Sequence, residues 1–246
     1  MPVKSAIKNI VASGLDSRGY ELKEKAAPPR GFRAFLKIYN RRMRKPRSVF
    51  DVGVGRGTNW LYESFPEAAL VLVEPLSRFE PQIREIVNAR GAVWQRCALG
   101  DAPGEATMLV PRGAPTGASL LRRSPSREAA PSNGLEEETV PVRLLDEIAA
   151  KAEPPFVLKL DVEGAEVGVL RGGQGALRST DLVIVEASVG PRHEGESDLI
   201  DIGAALKPHG FKLAEIIEMA TRGPDKLLSY LDAAFVRADG GFWNEG

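Results

Sequence analysis

Residues 49–57 read VFDVGVGRG, an apolar run that reaches Asp51 and opens into three glycines at alternate positions, Gly53, Gly55 and Gly57. A second apolar run, Leu70–Val73, closes on Glu74. No other feature constrains the fold as tightly. The pattern predicts a strand, a tight turn and a helix, with a second strand beside the first. Glycine lets backbone N–H groups approach a ligand, because no side chain holds the main chain away. An acidic residue ending the second strand is placed to accept hydrogen bonds from ribose hydroxyls. The expected ligand is a nucleoside-type cofactor.

The glycine spacing selects among such cofactors. Dinucleotide-binding loops use G-x-G-x-x-G and aim a helix N-terminus at a pyrophosphate. Here the spacing is G-x-G-x-G, and Asp51 stands two residues before the first glycine. A carboxylate is a poor neighbour for a pyrophosphate and a good one for an ammonium group. S-adenosylmethionine carries an ammonium and a sulfonium and no phosphate. On this reading Asp51, Gly53, Gly55 and Gly57 cradle its methionine part, and Glu74 binds its ribose. The plainer reading of the glycines alone is an ordinary strand-to-helix turn.

The chain has 246 residues, 43% hydrophobic and 27% charged, which suits one α/β domain with a full core. Lys plus Arg and Asp plus Glu both total 33, and the zero net charge argues against a general nucleic-acid binder. The single cysteine, Cys97, allows no internal disulfide and no thiolate metal cluster, and fits a reducing cytoplasm. Residues 1–15 are amphipathic rather than continuously apolar, so no signal peptide is expected. No apolar stretch approaches the roughly 18 residues that would cross a bilayer.

Residues 1–46 read as an N-terminal helical extension. Val3, Ile7, Ile10, Val11 and Leu15 recur at helical spacing, as do Phe32, Phe35, Leu36, Tyr39 and Met43. The second helix carries a basic face, Arg30 to Arg47, without an acidic residue. It is either a solvated face or a docking surface for an acidic partner. Residues 47–240 alternate strand and helix. Strands are expected at Ser48–Val52, Leu70–Glu74, Ala92–Ala98, Gly104–Val110, Thr139–Val142, Phe156–Leu160, Leu182–Glu186, Phe211–Ile217 and Tyr230–Arg237. Ser77 and Glu80 suggest a capping box. The alternation implies a mostly parallel sheet with helices on both faces, and the helix-free closing pair implies one antiparallel strand. Residues 111–138, rich in proline, glycine and serine, read as a mobile loop: a flap near the cofactor mouth or a surface insertion.

The segment FVLKLDVEGAEVGVLRGGQ, Phe156–Gln174, is the second informative stretch. In open parallel sheets ligands sit beyond the carboxyl ends of the strands, which puts Asp161 on the same edge as Asp51 and Glu74. Glu163 follows it, and Glu166 suits a helix N-terminus. Glu186 ends the next strand, and His193 lies in the loop after it.

KLDVEGAE followed by VLRG, with DVGVGRG and CALGD upstream, resembles the FkbM-type S-adenosylmethionine-dependent methyltransferases. VRLLDEI and the late GF and DAAFVR extend the similarity over about Ser48–Arg237. Members commonly carry asparagine where Gly55 stands. The resemblance implies a class I Rossmann-like methyltransferase fold, with a seven-stranded, mostly parallel sheet whose last strand is antiparallel. It also implies O-methylation of a hydroxyl on a small molecule, a sugar or secondary metabolite. Cys97 and Ala98 should border adenine, by resemblance and by their strand-end position. A hydroxyl needs a base during transfer. His193 is attractive by its ordinary pKa of roughly 6.5, with Asp161 and Glu163 as alternatives. Asp161, Glu186 and His193 could instead hold a divalent metal, which stays unassigned. N-methylation, a noncatalytic cofactor-binding protein and a homo-oligomer are left open.

Overall fold

The computed structural model describes residues 31–124, 134–190, 192–222 and 224–244. The helix expected at Val3–Leu15, together with Arg30, lies outside them. The described chain runs α1 (Phe32–Arg42), β1 (Ser48–Val52), α2 (Asn59–Ser64), β2 (Ala69–Val73), α3 (Glu80–Arg90), β3 (Val93–Gln95), β4 (Ala98–Leu99), β5 (Gly104–Pro111) and β6 (Leu135–Arg143). It continues with α4 (Leu145–Ala149), β7 (Phe156–Leu160), α5 (Glu166–Arg171), α6 (Gln174–Arg178), β8 (Thr180–Ser188), α7 (Leu199–Leu206), β9 (Phe211–Arg222) and β10 (Leu227–Arg237).

Seven strands form one sheet in the order β3-β2-β1-β7-β8-β10-β9. All pairs from β3 to β8 are parallel, and β10 runs antiparallel to both of its neighbours. The fold class read from the sequence therefore holds. Alternate strand residues enter two separate cores. Phe50, Val52, Leu158, Leu160, Val183 and Val185 pack on one face. Val49, Val157, Leu182, Ile184, Ala234 and Val236 pack on the other. Burial on both faces is why these strands read as continuous apolar runs. α1 belongs to the second core, with Phe35, Leu36 and Tyr39 packed alongside Val49, Leu61 and Phe242.

Several local expectations are revised. The single strand expected at Ala92–Ala98 is two. Cys97 N–H donates to the Gln95 carbonyl at 3.0 Å, a tight three-residue turn. Ala98–Leu99 then joins a second sheet, β4-β6-β5. The capping box does not form: a 3₁₀ turn at Ser77–Phe79 leads into α3, and Glu80 accepts from Arg84 at 2.6 Å instead. The long loop is shorter than its composition suggested, because β6 begins at Leu135 and a 3₁₀ turn occupies Pro115–Gly117. α6 was not anticipated. On the basic segment, Arg33, Arg44, Lys45 and Arg47 pair with Glu63, Asp181, Glu67 and Glu153, so acids of the same domain account for these charges.

The VRLLDEI element has a structural explanation. Asp146 in α4 accepts backbone N–H groups from Gly175 at 3.0 Å and Ala176 at 2.7 Å, capping α6 across the chain. Capping carboxylates contribute about 1 kcal/mol. Asp146→Ala should lower stability by about that amount in urea denaturation, and an unchanged midpoint would remove the cap from the account.

Candidate active site

The carboxyl ends of β1, β2 and β7 open into a cavity of about 370 Å³. The glycine turn forms one wall. Gly53, Gly55 and Gly57 all have positive φ (77°, 50° and 104°), a region that side-chain-bearing residues rarely adopt. Gly53 also has a packing reason: a Cβ there would lie 1.8 Å from the Asp161 carbonyl oxygen. The N–H groups of the three glycines are engaged within the protein. Gly53 donates to the Val73 carbonyl, Gly57 to the Val54 carbonyl and Gly55 to Glu74 Oε2. The glycines therefore act through shape and close approach more than through free donors.

Glu74 is 4% exposed and lies on the cavity wall. Its Oε2 accepts from Gly55 N–H and its Oε1 from Leu76 N–H, both at 3.0 Å. Each oxygen keeps a second lone pair, so the carboxylate fixes the turn and can still receive hydroxyl donors. Burial raises its pKa, and the two backbone donors oppose that shift. Cys97 and Ala98 border the same cavity. The Cys97 thiol is pushed up to about 11 by burial, which keeps it protonated and chemically inert.

Asp51 is fully buried and does not line the cavity. It accepts from Tyr62 Oη at 2.5 Å and pairs with Lys159 Nζ at 3.2 Å, its register partner on β7. Lys159 also reaches Asp161 Oδ2 at 3.2 Å and donates to the Gly53 carbonyl at 2.8 Å. Burial works against its charge, but Asp161 and Asp51 outweigh that and hold its pKa above the usual lysine value. One ammonium thus joins β1, the glycine turn and the end of β7.

The far end of the cavity is acidic. Asp161, Glu163, Glu186, Asp232 and Glu218 all line it. Glu163 has φ 53°, a strained setting for a residue with a side chain. Its carboxylate meets Arg192 at 2.5 Å, and the same guanidinium holds Glu186 at 3.0 Å. Burial pushes Glu163 up to about 8 despite Arg192. Burial and then Asp161 raise Glu186. Glu166 turns back onto its own loop, where its Oε1 accepts from Val162 and Gly164 N–H.

His193 is not brought to the cavity. Its loop is laced to the neighbouring segment by an antiparallel bridge between Arg123 and His193, by Ser124 N–H to the Arg192 carbonyl, and by Glu194 N–H to the Arg122 carbonyl. The ring is buried beside Glu196 at 3.3 Å, and burial lowers its pKa. The metal set of Asp161, Glu186 and His193 is not assembled either. Asp161, Glu163 and Glu186 do bring carboxylate oxygens within 4.8 Å of one another. Two cations, Lys159 and Arg192, already contact these three carboxylates. Part of the proline-rich segment closes over this end: Thr116, Ala118 and Leu120 line the cavity, and Ser119 Oγ donates to the Glu163 carbonyl at 2.8 Å. Phe32 and Trp60, stacked at 3.9 Å, form another part of the wall.

Sequence reasoning missed Lys159, Arg192 and Asp232. Lys159 and Asp232 did leave a signal: each is a charge in the interior of an apolar run, FVLKL and YLDAAFV. Such a residue needs a partner or a purpose.

This strand order, with its glycine turn and acidic β2 terminus, defines a Rossmann-like methyltransferase fold. The methyltransferase FkbM domain model matches residues 51–213, more than half of the chain, and the chain belongs to that family. Among solved structures it is similar to the FkbM methyltransferase of Methylobacillus flagellatus KT, at 16% identity over 83% of this chain, with a TM-score of 0.51. It spans about half of that protein, 48% of its length. It is also similar to the 1,6-didemethyltoxoflavin-N1-methyltransferase of Burkholderia thailandensis, solved with 1,6-didemethyltoxoflavin and S-adenosylhomocysteine (16% identity, 97% of this chain and 91% of that one, TM-score 0.45). A third is the precorrin-6y C5,15-methyltransferase of Geobacter metallireducens GS-15 (12%, 92% and 96%, 0.43). No curated protein sequence matches the chain.

Removing one partner of a buried charge network strands the others, at a cost of about 3–5 kcal/mol. Lys159→Met should therefore destabilise the fold by several kcal/mol in denaturant titration. A loss below about 1 kcal/mol would show that Asp51 and Asp161 do not depend on this ammonium.

Proposed function

We propose that this protein transfers a methyl group from S-adenosylmethionine to a hydroxyl of a small molecule, a sugar or a secondary metabolite. The observation that carries this reading is Glu74, a buried carboxylate ending β2 beside a left-handed glycine turn on the wall of a cavity. In this reading Glu74 binds the ribose hydroxyls. Gly53, Gly55 and Gly57 pass close to the methionine part, and Cys97 and Ala98 border adenine. Asp51 acts from below, by holding Lys159 and through it the turn.

The acceptor takes the acidic end. Methyl transfer needs the acceptor oxygen in line behind the methyl carbon at about 3–3.5 Å, and positioning supplies much of the acceleration. Asp161, Glu163 and Glu186 offer carboxylate oxygens that can orient a hydroxylated acceptor. The oxygen attacks the methyl carbon and the carbon–sulfur bond breaks, leaving S-adenosylhomocysteine. A hydroxyl must also surrender its proton, and a carboxylate-lined chamber suits that need.

Two measurements test this. Incubation with methyl-labelled S-adenosylmethionine and a metabolite extract should give a labelled small molecule whose label sits on oxygen, by mass spectrometry and NMR; label on nitrogen would overturn the hydroxyl assignment. Glu74→Gln should weaken S-adenosylmethionine binding about tenfold or more in calorimetry, because a buried charged acceptor is lost. Equal affinity would remove Glu74 from the ribose site.

A further inference from the structure

Deprotonating a hydroxyl calls for a carboxylate whose lone pairs are not already committed. Most of the cavity's buried or half-buried carboxylates fail that condition. Glu74 accepts two backbone N–H groups, and its remaining lone pairs are the ones the proposed function gives to the ribose. Asp161 is paired with Lys159, and Glu163 and Glu186 share Arg192. A cation held against a carboxylate occupies the oxygens that would otherwise meet the hydroxyl.

Asp232 differs. It stands in the middle of β10, half-buried, and lines the cavity. Among the described residues it accepts no hydrogen bond and forms no ion pair. Its strand is fixed on both sides: Asp232 is the register partner of Glu186 on β8 and of Glu218 on β9. A group on a central strand is held more rigidly than one on a loop, which is what a proton-transfer geometry requires.

We propose that Asp232 is the catalytic base that accepts the proton of the acceptor hydroxyl. The O–H bond breaks with its proton passing to an Asp232 carboxylate oxygen. The acceptor oxygen forms a bond to the methyl carbon, and the carbon–sulfur electron pair stays on sulfur. Asp232 is left protonated and releases the proton to water before the next turnover. The proposal rests on the O-methylation reading above.

The surroundings agree with this role. The charges that face Asp232 are Glu186 on β8, Asp161 at the end of β7, Glu218 on β9 and Lys159 on β7, with the phenol of Tyr230 on its own strand. Burial, followed by the three carboxylates, pushes Asp232 up to about 8, while Lys159 opposes the shift. A base of that strength holds a proton far better than a solvated aspartate does.

The test needs no knowledge of the acceptor. Sinefungin resembles S-adenosylmethionine but carries an amine where the transferable methyl group stands. S-adenosylhomocysteine has nothing there. A carboxylate placed to take the acceptor's proton also lies within reach of that amine. Calorimetry should show the unmodified protein binding sinefungin about tenfold or more tighter than S-adenosylhomocysteine, the range of a charge-assisted hydrogen bond. Asp232→Asn should remove most of that preference and leave S-adenosylhomocysteine affinity unchanged, which also reports that the variant is folded. An undiminished preference in Asp232→Asn overturns the assignment.

A crystal structure of the unmodified protein with sinefungin gives an answer independent of any variant. The amine should lie within about 3.2 Å of an Asp232 oxygen, and an amine bonded only to Asp161, Glu163 or Glu186 overturns the proposal. If neither compound binds, the cofactor reading itself fails, and this proposal with it.

Discussion

The site depends on a single buried ammonium. Lys159 lies between Asp51 and Asp161 and under the Gly53 carbonyl. Those three acceptors belong to β1, to the turn that follows it and to the end of β7, so one cation joins segments more than a hundred residues apart. Desolvating an ion costs several kcal/mol, and the cost is offset only where neighbours satisfy it. Here two carboxylates and a carbonyl do so, and the arrangement fixes where the strand ends stand. Tyr62 completes it from α2 by donating to Asp51.

Arg192 plays a similar part at the acidic end. It enters from the loop after β8, bridges Glu163 and Glu186, and its guanidinium lies 5.4 Å from the Tyr230 ring centroid. The two cations leave the cavity with a graded set of carboxylates. Asp161, Glu163 and Glu186 each meet a cation, while Asp232 has no hydrogen bond or ion pair among the described residues. Glu163 holds its place at the expense of a left-handed backbone, the kind of strain that collects where function demands it.

Much of the fold was legible because burial on both faces writes strands as uninterrupted apolar runs. Ser48–Val52 and Phe156–Leu160 were placed to the residue on that signal. The glycine turn and Glu74 were legible because the chemistry of close approach restricts which residues can stand there. Other features depend on tertiary contacts that no local pattern records. The break at Arg96 follows from pairing of Ala98–Leu99 with β6, and the capping box gave way to a 3₁₀ entry. His193 had a suitable ordinary pKa, but backbone pairing with Arg123 and the contact with Glu196 keep its ring outside the cavity that Arg192, its neighbour, reaches. Lys159 and Asp232 were visible as charges in the interior of apolar runs. Their partners, or the absence of them, required strand order and register.

The contact between Gly53 and the Asp161 carbonyl has a consequence for the cavity as a whole. With no space for even a methyl group between them, the glycine turn after β1 and the turn after β7 form one seam of main chain. Neither can shift to suit a larger or smaller guest without dragging the other. The Pro111–Ser124 segment and the β9–β10 hairpin line other parts of the cavity wall and do not belong to that seam.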